Sequence, residues 1–318
     1  MFPFNGNRTT YIWRIGESIL QLSGLVVSEI DQQRAQEFCR LYQEQKDRFL
    51  LSGLAKCEVS TDDLLHLQAA GTVLLSGVQP TINRDLLVAF ARELGGLLHS
   101  YISENFHNII PETEVGSETG DWLLSLVEQT LRGKGEYLSI VAREIGVPLD
   151  LLAFFAVYLT RPLRQAAAPT DKSAFGGWQL GYCPVCGLWP RMGRISSEDN
   201  SRHLWCIGCE TTWAFPRLRC PFCLEDDQGK LGYLKIADTE RYRIYTCDSC
   251  RRYLKTVIDQ GATEISDGGF DAQYLLTSSL DVTAVFEKYI QDFVGFAAFD
   301  LQDSAAAKRY REKVTTQT

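Results

Sequence analysis

Residues 183–250 contain four Cys-x-x-Cys pairs: Cys183-Pro-Val-Cys186, Cys206-Ile-Gly-Cys209, Cys220-Pro-Phe-Cys223 and Cys247-Asp-Ser-Cys250. The pairs use eight of the ten cysteines in the chain. Two thiolates separated by two residues can bind one tetrahedral metal ion from a single tight turn, and two such turns complete a four-sulfur site. This stretch therefore predicts two metal ions, each held on short β-ribbons.

The length of chain between the pairs indicates which of them share an ion. Closing a short loop costs less chain entropy than closing a long one, so sequential pairing is favoured. A cross-braced arrangement, with the first pair joined to the third, stays open because only a short link separates the second pair from the third. The favoured ligand sets are Cys183, Cys186, Cys206 and Cys209 for site 1, and Cys220, Cys223, Cys247 and Cys250 for site 2.

Four sulfurs do not by themselves select the metal. Zinc and rubredoxin-like iron both accept a tetrahedral cage of thiolates, so zinc or iron is expected at each of the two sites. Six arginines lie close in sequence to the cysteines, and we expect them to compensate the negative charge of such cages. They are Arg191, Arg194, Arg217, Arg219, Arg251 and Arg252.

Composition makes some classes of protein less favoured for this chain. The 318 residues are 45% hydrophobic, enough for a sizeable core without disulfides. The net charge of -8 and the pI of about 5.2 argue against nucleic acid as a partner, because binding to phosphates needs a basic surface. A nucleic-acid-binding zinc ribbon therefore stays the less favoured alternative.

Nothing in the sequence predicts export or membrane insertion. Residues 1–22 carry scattered charges and no continuous apolar run, unlike a secretory signal. The longest apolar run, residues 151–159, is much shorter than the roughly 20 residues that cross a bilayer. We expect a cytoplasmic protein, in which paired cysteines bind metal rather than form disulfides. The sequence does not indicate an oligomeric state.

Hydrophobic periodicity divides the chain into three regions. Helical patterns occupy the first half, and the most apolar of them, residues 148–165, is expected at the centre of a bundle. The small, turn-forming residues of 166–178 indicate a connection. The predicted regions are a helical domain (1–170), tandem four-cysteine metal ribbons (171–270), and a C-terminal helix with a polar tail (271–318).

Short β-like runs separate the cysteine pairs, at residues 202–205, 232–236, 241–246 and 253–258. After Asp281 the pattern becomes helical again, with Val282, Val285, Phe286, Tyr289 and Phe293 on one face. The fold class is therefore α+β: a mainly helical N-terminal bundle, two small rubredoxin-like or zinc-ribbon β modules, and a C-terminal helix.

Catalytic motifs are missing from this sequence. It contains no nucleophile elbow, phosphate-binding loop, dinucleotide fingerprint or His-Glu-x-x-His. Four thiolates also close the coordination sphere of a metal, which leaves no position for water or substrate. We therefore expect no catalytic residues and no enzyme activity.

The residues around the cysteine pairs resemble the formate dehydrogenase accessory proteins of the FdhE family. The resemblance covers roughly residues 150–260, from Arg161-Pro162 through Cys183-Pro-Val-Cys186-Gly187-Leu-Trp-Pro190 and Trp205-Cys206-Ile-Gly-Cys209 to Tyr245-Thr-Cys247-Asp-Ser-Cys250-Arg-Arg-Tyr253. In the first half the likeness is one of helical character and length.

This resemblance implies a cytoplasmic assembly factor or chaperone that binds the catalytic subunit of a formate dehydrogenase during its maturation. It also implies that the eight paired cysteines form rubredoxin-like metal sites. A redox protein that passes electrons to a partner enzyme is the alternative, if the sites hold iron. The residues that meet a partner are not indicated.

Overall fold

The structure is a computed structural model that describes residues 29–59, 71–78, 80–102, 106, 109, 117–169, 175–236, 239–259 and 269–291. Residues 1–28 and the predicted polar tail from residue 302 lie outside the described residues. Helices form the first half and the C-terminal end of the described chain, and a six-stranded sheet lies between them. The predicted α+β class is confirmed.

The first half of the described chain contains six helices and one small antiparallel strand pair, β1 with β2. None of the helices in the described ranges is both long and apolar enough to cross a membrane. In chain order the elements are α1 (Glu29–Leu51), β1 (Ala55–Lys56), α2 (Leu74–Gly77), β2 (Thr81–Ile82), α3 (Arg84–Tyr101), α4 (Ser117–Leu131), α5 (Gly135–Ile145) and α6 (Leu149–Ala166).

Local signals in the sequence explain two of the helix ends. At the start of α3, the Asn83 side chain accepts a hydrogen bond from the backbone N–H of Leu86 at 3.2 Å, which satisfies one of the free donors of the first turn. At the end of α5, Gly146 adopts a left-handed φ of 71°, the usual glycine cap. The start of α3 and the end of α5 are therefore set by residues next to each terminus.

Helix α6 lies at the centre of the bundle and is buried along most of its length. Pro162 lies inside it and has no N–H, so the carbonyl of Tyr158 loses its helical partner. The Tyr42 hydroxyl of α1 donates a hydrogen bond to that carbonyl at 2.8 Å. A break in the hydrogen bonding of α6 thus becomes an attachment point for α1.

The sheet combines both cysteine modules. The first module supplies β3 to β5 and the second supplies β6 to β8, in the spatial order β5-β4-β3-β8-β7-β6. Neighbours within a module are antiparallel, and β3 pairs with β8 in parallel, which joins the modules edge to edge. The strands are β3 (Met192–Ile195), β4 (Arg202–Trp205), β5 (Thr212–Ala214), β6 (Leu231–Ile236), β7 (Thr239–Cys247) and β8 (Tyr253–Ile258).

One hydrophobic core extends from the bundle into the sheet. It includes Phe155 of α6 and Leu94 of α3, and continues through Trp205 of β4 and Val257 of β8. A second core surrounds the cysteines and includes Leu74 of α2, although α2 belongs to the first half of the sequence. The helical region and the metal modules therefore pack as one body.

Two helices follow the sheet, α7 (Gly269–Leu276) and α8 (Ser278–Phe286). Val282, Val285 and Phe286, three of the residues predicted on one face, are at least half exposed, and Phe293 lies outside the described residues. Leu280 and Ala284 face the sheet instead. The rotation of α8 is set by an acidic side chain: Asp281 accepts hydrogen bonds from the buried Lys255 at 2.9 Å and from Tyr253 at 2.7 Å.

Candidate metal centres

The eight paired cysteines form two groups of four sulfurs. All four sulfur atoms of each group lie within 4.8 Å of one another. The groups follow the sequential arrangement, and the cross-braced one does not occur. Their members are Cys183, Cys186, Cys206 and Cys209 in site 1, and Cys220, Cys223, Cys247 and Cys250 in site 2.

The spacing of the sulfurs fits a tetrahedral ion. Four sulfurs about 2.3 Å from a central metal lie about 3.8 Å from one another. In site 1 the Sγ atoms of Cys186 and Cys209 are 3.7 Å apart, and in site 2 those of Cys220 and Cys250 are also 3.7 Å apart. Other pairs are slightly closer, at 3.4 to 3.6 Å. Either zinc or iron would be held by these four donors, and the binding of metal remains a prediction.

The four turns share one backbone conformation. In each, the carbonyl of the first cysteine accepts a hydrogen bond from the N–H four residues later, at 2.9 to 3.0 Å. The N–H of the first cysteine donates to the carbonyl five residues later, at 2.8 to 3.0 Å. This closed turn directs both sulfurs to the same side. The Cys206 sulfur also accepts a hydrogen bond from the Gly208 N–H at 3.3 Å, an interaction that stabilises a thiolate.

The residue after the second cysteine is left-handed in all four turns, with φ between 57° and 73°. Only the first turn has a glycine there, as the sequence indicates. The other three positions hold Glu210, Leu224 and Arg251, for which this conformation costs about 1–2 kcal/mol each. Such strain persists only where surrounding interactions enforce it, and a bound metal supplies that constraint.

Burial differs between the two sites. Every cysteine of site 1 is at most 3% exposed. In site 2, Cys220 and Cys247 are buried, whereas Cys223 and Cys250 are partly exposed. Site 1 therefore lies inside the protein, and one side of site 2 reaches the surface.

A buried arginine from the helical bundle lies beside site 1. Arg164 of α6 is 1% exposed, and its Nη2 donates to the carbonyl of Thr130 at 3.2 Å. A Cβ added at Gly208 would lie 2.6 Å from Nη1 of Arg164 and 3.5 Å from the Cys186 sulfur. The glycine in the second turn thus leaves room for this guanidinium.

The charge of Arg164 acts on the nearest sulfurs. Burial raises the pKa of Cys186, whereas hydrogen bonds from the neighbouring thiols and the Arg164 charge lower it. The net effect holds the pKa of Cys186 well below its ordinary value. The charge of Arg164 therefore favours the thiolate form of Cys186, the form that metal ligation requires.

A buried ionic cluster attaches the second turn of site 1 to the helices. Arg161 of α6 is fully buried and forms ion pairs with Asp271 of α7 and with Glu210, at 2.9 Å for Glu210. Its Nε donates to the carbonyl of Ile207, inside the turn, at 2.9 Å. Lys46 of α1 pairs with Glu210 at 3.0 Å. We call these four charged residues, Arg161, Asp271, Glu210 and Lys46, the Arg161 cluster.

The surroundings of site 2 are more open and more aromatic. The guanidinium of Arg252 lies over the rings of Trp189 and Phe222, at 5.4 and 5.5 Å from their centres. Asp248, inside the fourth turn, accepts hydrogen bonds from Arg251 at 3.1 Å and from Tyr289 at 2.6 Å. The ion pairs near site 2 are exposed or partly exposed. Among the described residues, none of them links site 2 to a helix of the N-terminal bundle in the way that the Arg161 cluster links site 1.

Three of the six arginines near the cysteines contact acidic or amide side chains rather than the sulfurs. Arg194 pairs with Asp259, and Arg219 lies 3.9 Å from Asp226. Arg217 donates to Asn200. The cations that contact site 1 are Arg161 and Arg164 instead, which are distant in sequence. The only sequence signal for them was the placement of two arginines in an otherwise apolar helix, because buried arginines need partners.

Known proteins that are similar in sequence to this chain carry the name FdhE. No protein-family model matches the chain. The chain is 29% identical over 171 residues to "Protein FdhE homolog" of Aquifex aeolicus (strain VF5), which covers 51% of this chain and 59% of that protein. It is 37% identical over 95 residues to "Protein FdhE" of Escherichia coli (strain K12 / DH10B), which covers 29% of this chain and 30% of that protein. The matches therefore span less than two thirds of the length of these relatives.

A solved structure shares the fold. The crystal structure of the FdhE protein from Pseudomonas aeruginosa superposes with a TM-score of 0.51 and 22% identity, over 90% of this chain and 95% of that one. At this identity the likeness describes the fold alone. The matches to curated FdhE proteins and the two groups of four cysteines support a relationship to the FdhE family.

Proposed function

We propose that this chain is a non-catalytic assembly factor that binds the catalytic subunit of a formate dehydrogenase during its maturation in the cytoplasm. The observation that carries the proposal is the pair of closed four-sulfur groups in a chain related to the FdhE family. Four thiolates saturate a tetrahedral zinc or iron ion, so neither site offers a position for substrate. The eight cysteines act as metal ligands that hold the sheet in shape.

The arrangement of the molecule supports a binding role. The sheet and the helical bundle share one core, so a metal at site 1 stabilises the joint between them. Site 2 has two partly exposed cysteines, Cys223 and Cys250. A rigid body with an aromatic and arginine-rich outer module has the composition of a protein-binding surface.

Recovery of the partner tests this function. Tagged protein is purified from formate-grown cells of the source organism, and the co-purifying proteins are identified by mass spectrometry. We expect enrichment of a formate dehydrogenase catalytic subunit over a control purification with an unrelated tagged protein. Deletion of the gene is expected to lower formate dehydrogenase activity.

The opposite results would contradict the proposal. Absence of every formate dehydrogenase subunit from the purification, combined with unchanged activity in the deletion strain, would rule it out. A bait with Cys247→Ser and Cys250→Ser separates the contribution of site 2. Its helical content is checked by circular dichroism, so that loss of the partner is not mistaken for unfolding.

Electron transfer is the second candidate, and it rests on the exposure of site 2. Cys223 and Cys250 are partly exposed, so an iron ion there would exchange electrons with a docked partner, whereas site 1 is enclosed. Metal analysis and visible absorption of anaerobically purified protein test this candidate. A colourless protein with two zinc ions per chain would eliminate it.

A further inference from the structure

A groove next to site 2 is lined by four arginines, by two of the site 2 cysteines, Cys220 and Cys247, and by no carboxylate. It lies between the loop before the third turn and the strands β6 and β7, and has a volume of about 210 Å³. A single water molecule needs only about 10–15 Å³ of such space, so the groove is large enough to admit a side chain. The arginines are Arg202, Arg217, Arg219 and Arg252.

Arg202 at the base of the groove has no acidic partner. It is 4% exposed, and its Nη2 donates to the carbonyls of Pro216 and Arg219. The buried Nε has no hydrogen-bond partner, and no carboxylate lies within ion-pair distance of this side chain among the described residues. Burial lowers the pKa of Arg202 to about 10. An arginine buried without an anion is costly, and proteins normally supply one.

Two of the other arginines, Arg217 and Arg219, make only neutral or distant polar contacts. Arg217 donates to the neutral side chain of Asn200 at 2.9 Å, and Arg219 lies 3.9 Å from Asp226, the limit of an ion pair. A metal-bound site 2 carries negative charge, and Cys220 acts on Arg202 through space. No sulfur accepts a hydrogen bond from Arg202 among the described residues, and Arg202 lines the groove with its Nε unpaired. The groove therefore collects four arginines without a carboxylate, in a chain whose net charge is -8.

The rim of the groove is apolar. Leu218 is 63% exposed on one side, and Tyr233 of β6 is 44% exposed on the other. The Tyr233 ring packs against Tyr245 at 5.7 Å and lies under the guanidinium of Arg243 at 4.9 Å. Exposed aromatic residues and arginine around a buried charge have the composition of interface hot spots.

We infer that this groove binds a glutamate side chain of a partner protein, with an apolar residue of the same segment packed against Leu218 and Tyr233. A carboxylate oxygen accepts hydrogen bonds from the planar N–H donors of arginine, and such charged hydrogen bonds are stronger than neutral ones. The depth of Arg202 favours a carboxylate at the end of a side chain. A chain terminus would also bring its last peptide group into the groove, where apolar side chains offer few partners.

The inference deepens the proposed function and rests on it for the partner being a protein. Its test does not need formate dehydrogenase. The probe is an N-acetylated, C-amidated heptapeptide with one glutamate between two leucines, titrated into the full-length, metal-loaded protein by calorimetry. We expect saturable binding with a Kd below about 1 mM. The same peptide with glutamine in place of glutamate is expected to bind at least about tenfold more weakly.

Variants locate the binding. Arg202→Gln is expected to weaken the glutamate peptide at least about tenfold while metal content stays at the wild-type value, which shows that the fold is intact. Leu218→Glu places a competing carboxylate at the exposed rim and weakens binding without touching the core. Leu51→Glu is the matched control, because Leu51 is 89% exposed on α1 and remote in sequence from the groove.

Three outcomes would overturn the inference. One is the absence of saturation by the glutamate peptide. Another is equal weakening by Leu218→Glu and Leu51→Glu. The third is equally tight binding of the glutamine peptide once its C-terminus is left as a free carboxylate, which would assign the groove to chain ends. Loss of metal from Arg202→Gln together with no peptide binding to wild type would mean that Arg202 only compensates the charge of site 2.

Discussion

Site 1 and site 2 are built from the same turns but lie in different surroundings. Site 1 is enclosed, and two arginines and a glutamate connect it to the helical bundle. Site 2 has two partly exposed cysteines and borders an arginine-lined groove. The sequence of a Cys-x-x-Cys turn therefore determines the local backbone conformation and not the burial of the site. Its role in the molecule depends on what packs against it.

Removing a ligand should therefore have unequal effects at the two sites. Cys183→Ser is expected to lower stability by on the order of 10 kcal/mol, because metal binding at a structural site supplies folding free energy of that size. Since the core around site 1 continues into the sheet, the sheet and its contact with the helices should be lost together. Metal content per chain and thermal unfolding followed by circular dichroism measure the effect.

The matched variants are Cys250→Ser and Cys39→Ser. Cys250→Ser should lose one metal but keep most of the cooperative unfolding transition, because site 2 is at the edge of the core. Cys39→Ser should keep both metals, since Cys39 is a buried residue of the helical core. Equal metal loss from Cys39→Ser and Cys183→Ser would mean that the ligands are wrongly assigned.

Substitution of Arg161 should have the next largest effect on the free energy of unfolding. Arg161→Met leaves Asp271 and Glu210 without their main cation, and breaking a buried pair in this way costs about 3–5 kcal/mol. The pKa of Glu210 is lowered despite burial, through Arg161 and Lys46, so this carboxylate is charged in the folded protein. Denaturant unfolding gives the free energy. Arg84→Met is the control, since its pair with Asp121 is exposed and is worth no more than about 1 kcal/mol.

The rate of metal release should also differ between the two sites. A chelator is expected to remove metal in two phases, with site 2 at least roughly tenfold faster, because its exposed cysteines need a smaller opening. A colorimetric chelator assay under reducing conditions gives both rates. Cys250→Ser should remove the fast phase and leave the slow one. A single phase in the wild-type protein would contradict the structural difference between the sites.

The smallest effect concerns the turns themselves. Gly187 has a left-handed φ of 73°, so Gly187→Ala should cost about 1–2 kcal/mol, and the first turn would then resemble the other three. Gly96→Ala is the control, because Gly96 lies within α3 with open space at its Cβ, and alanine should stabilise it by about 0.5–1 kcal/mol. An unchanged melting temperature for Gly187→Ala would show that the turn tolerates a side chain freely at this position.

The correctly predicted parts of the fold are those with local causes. The helix over residues 149–166 follows from a continuous apolar pattern, and the strands at 202–205 and 253–258 match the β-like runs between the cysteines. Periodicity did not indicate which side of α8 meets the sheet, because it cannot include the contact between Asp281 and Lys255, two residues in different elements. The parallel pairing of β3 with β8 was not foreseen for the same reason.

The sequence by itself determined the four turns, the eight cysteines that face one another in pairs, and the division into helices and ribbons. These features depend on residues that are close along the chain, and their spacing is visible in the sequence. Only the tertiary structure decided that the pairs join sequentially, that site 1 is enclosed and site 2 is not, and that Arg161, Arg164 and Arg202 lie beside them. Those contacts join residues far apart in the chain, and they arise from packing of the whole core.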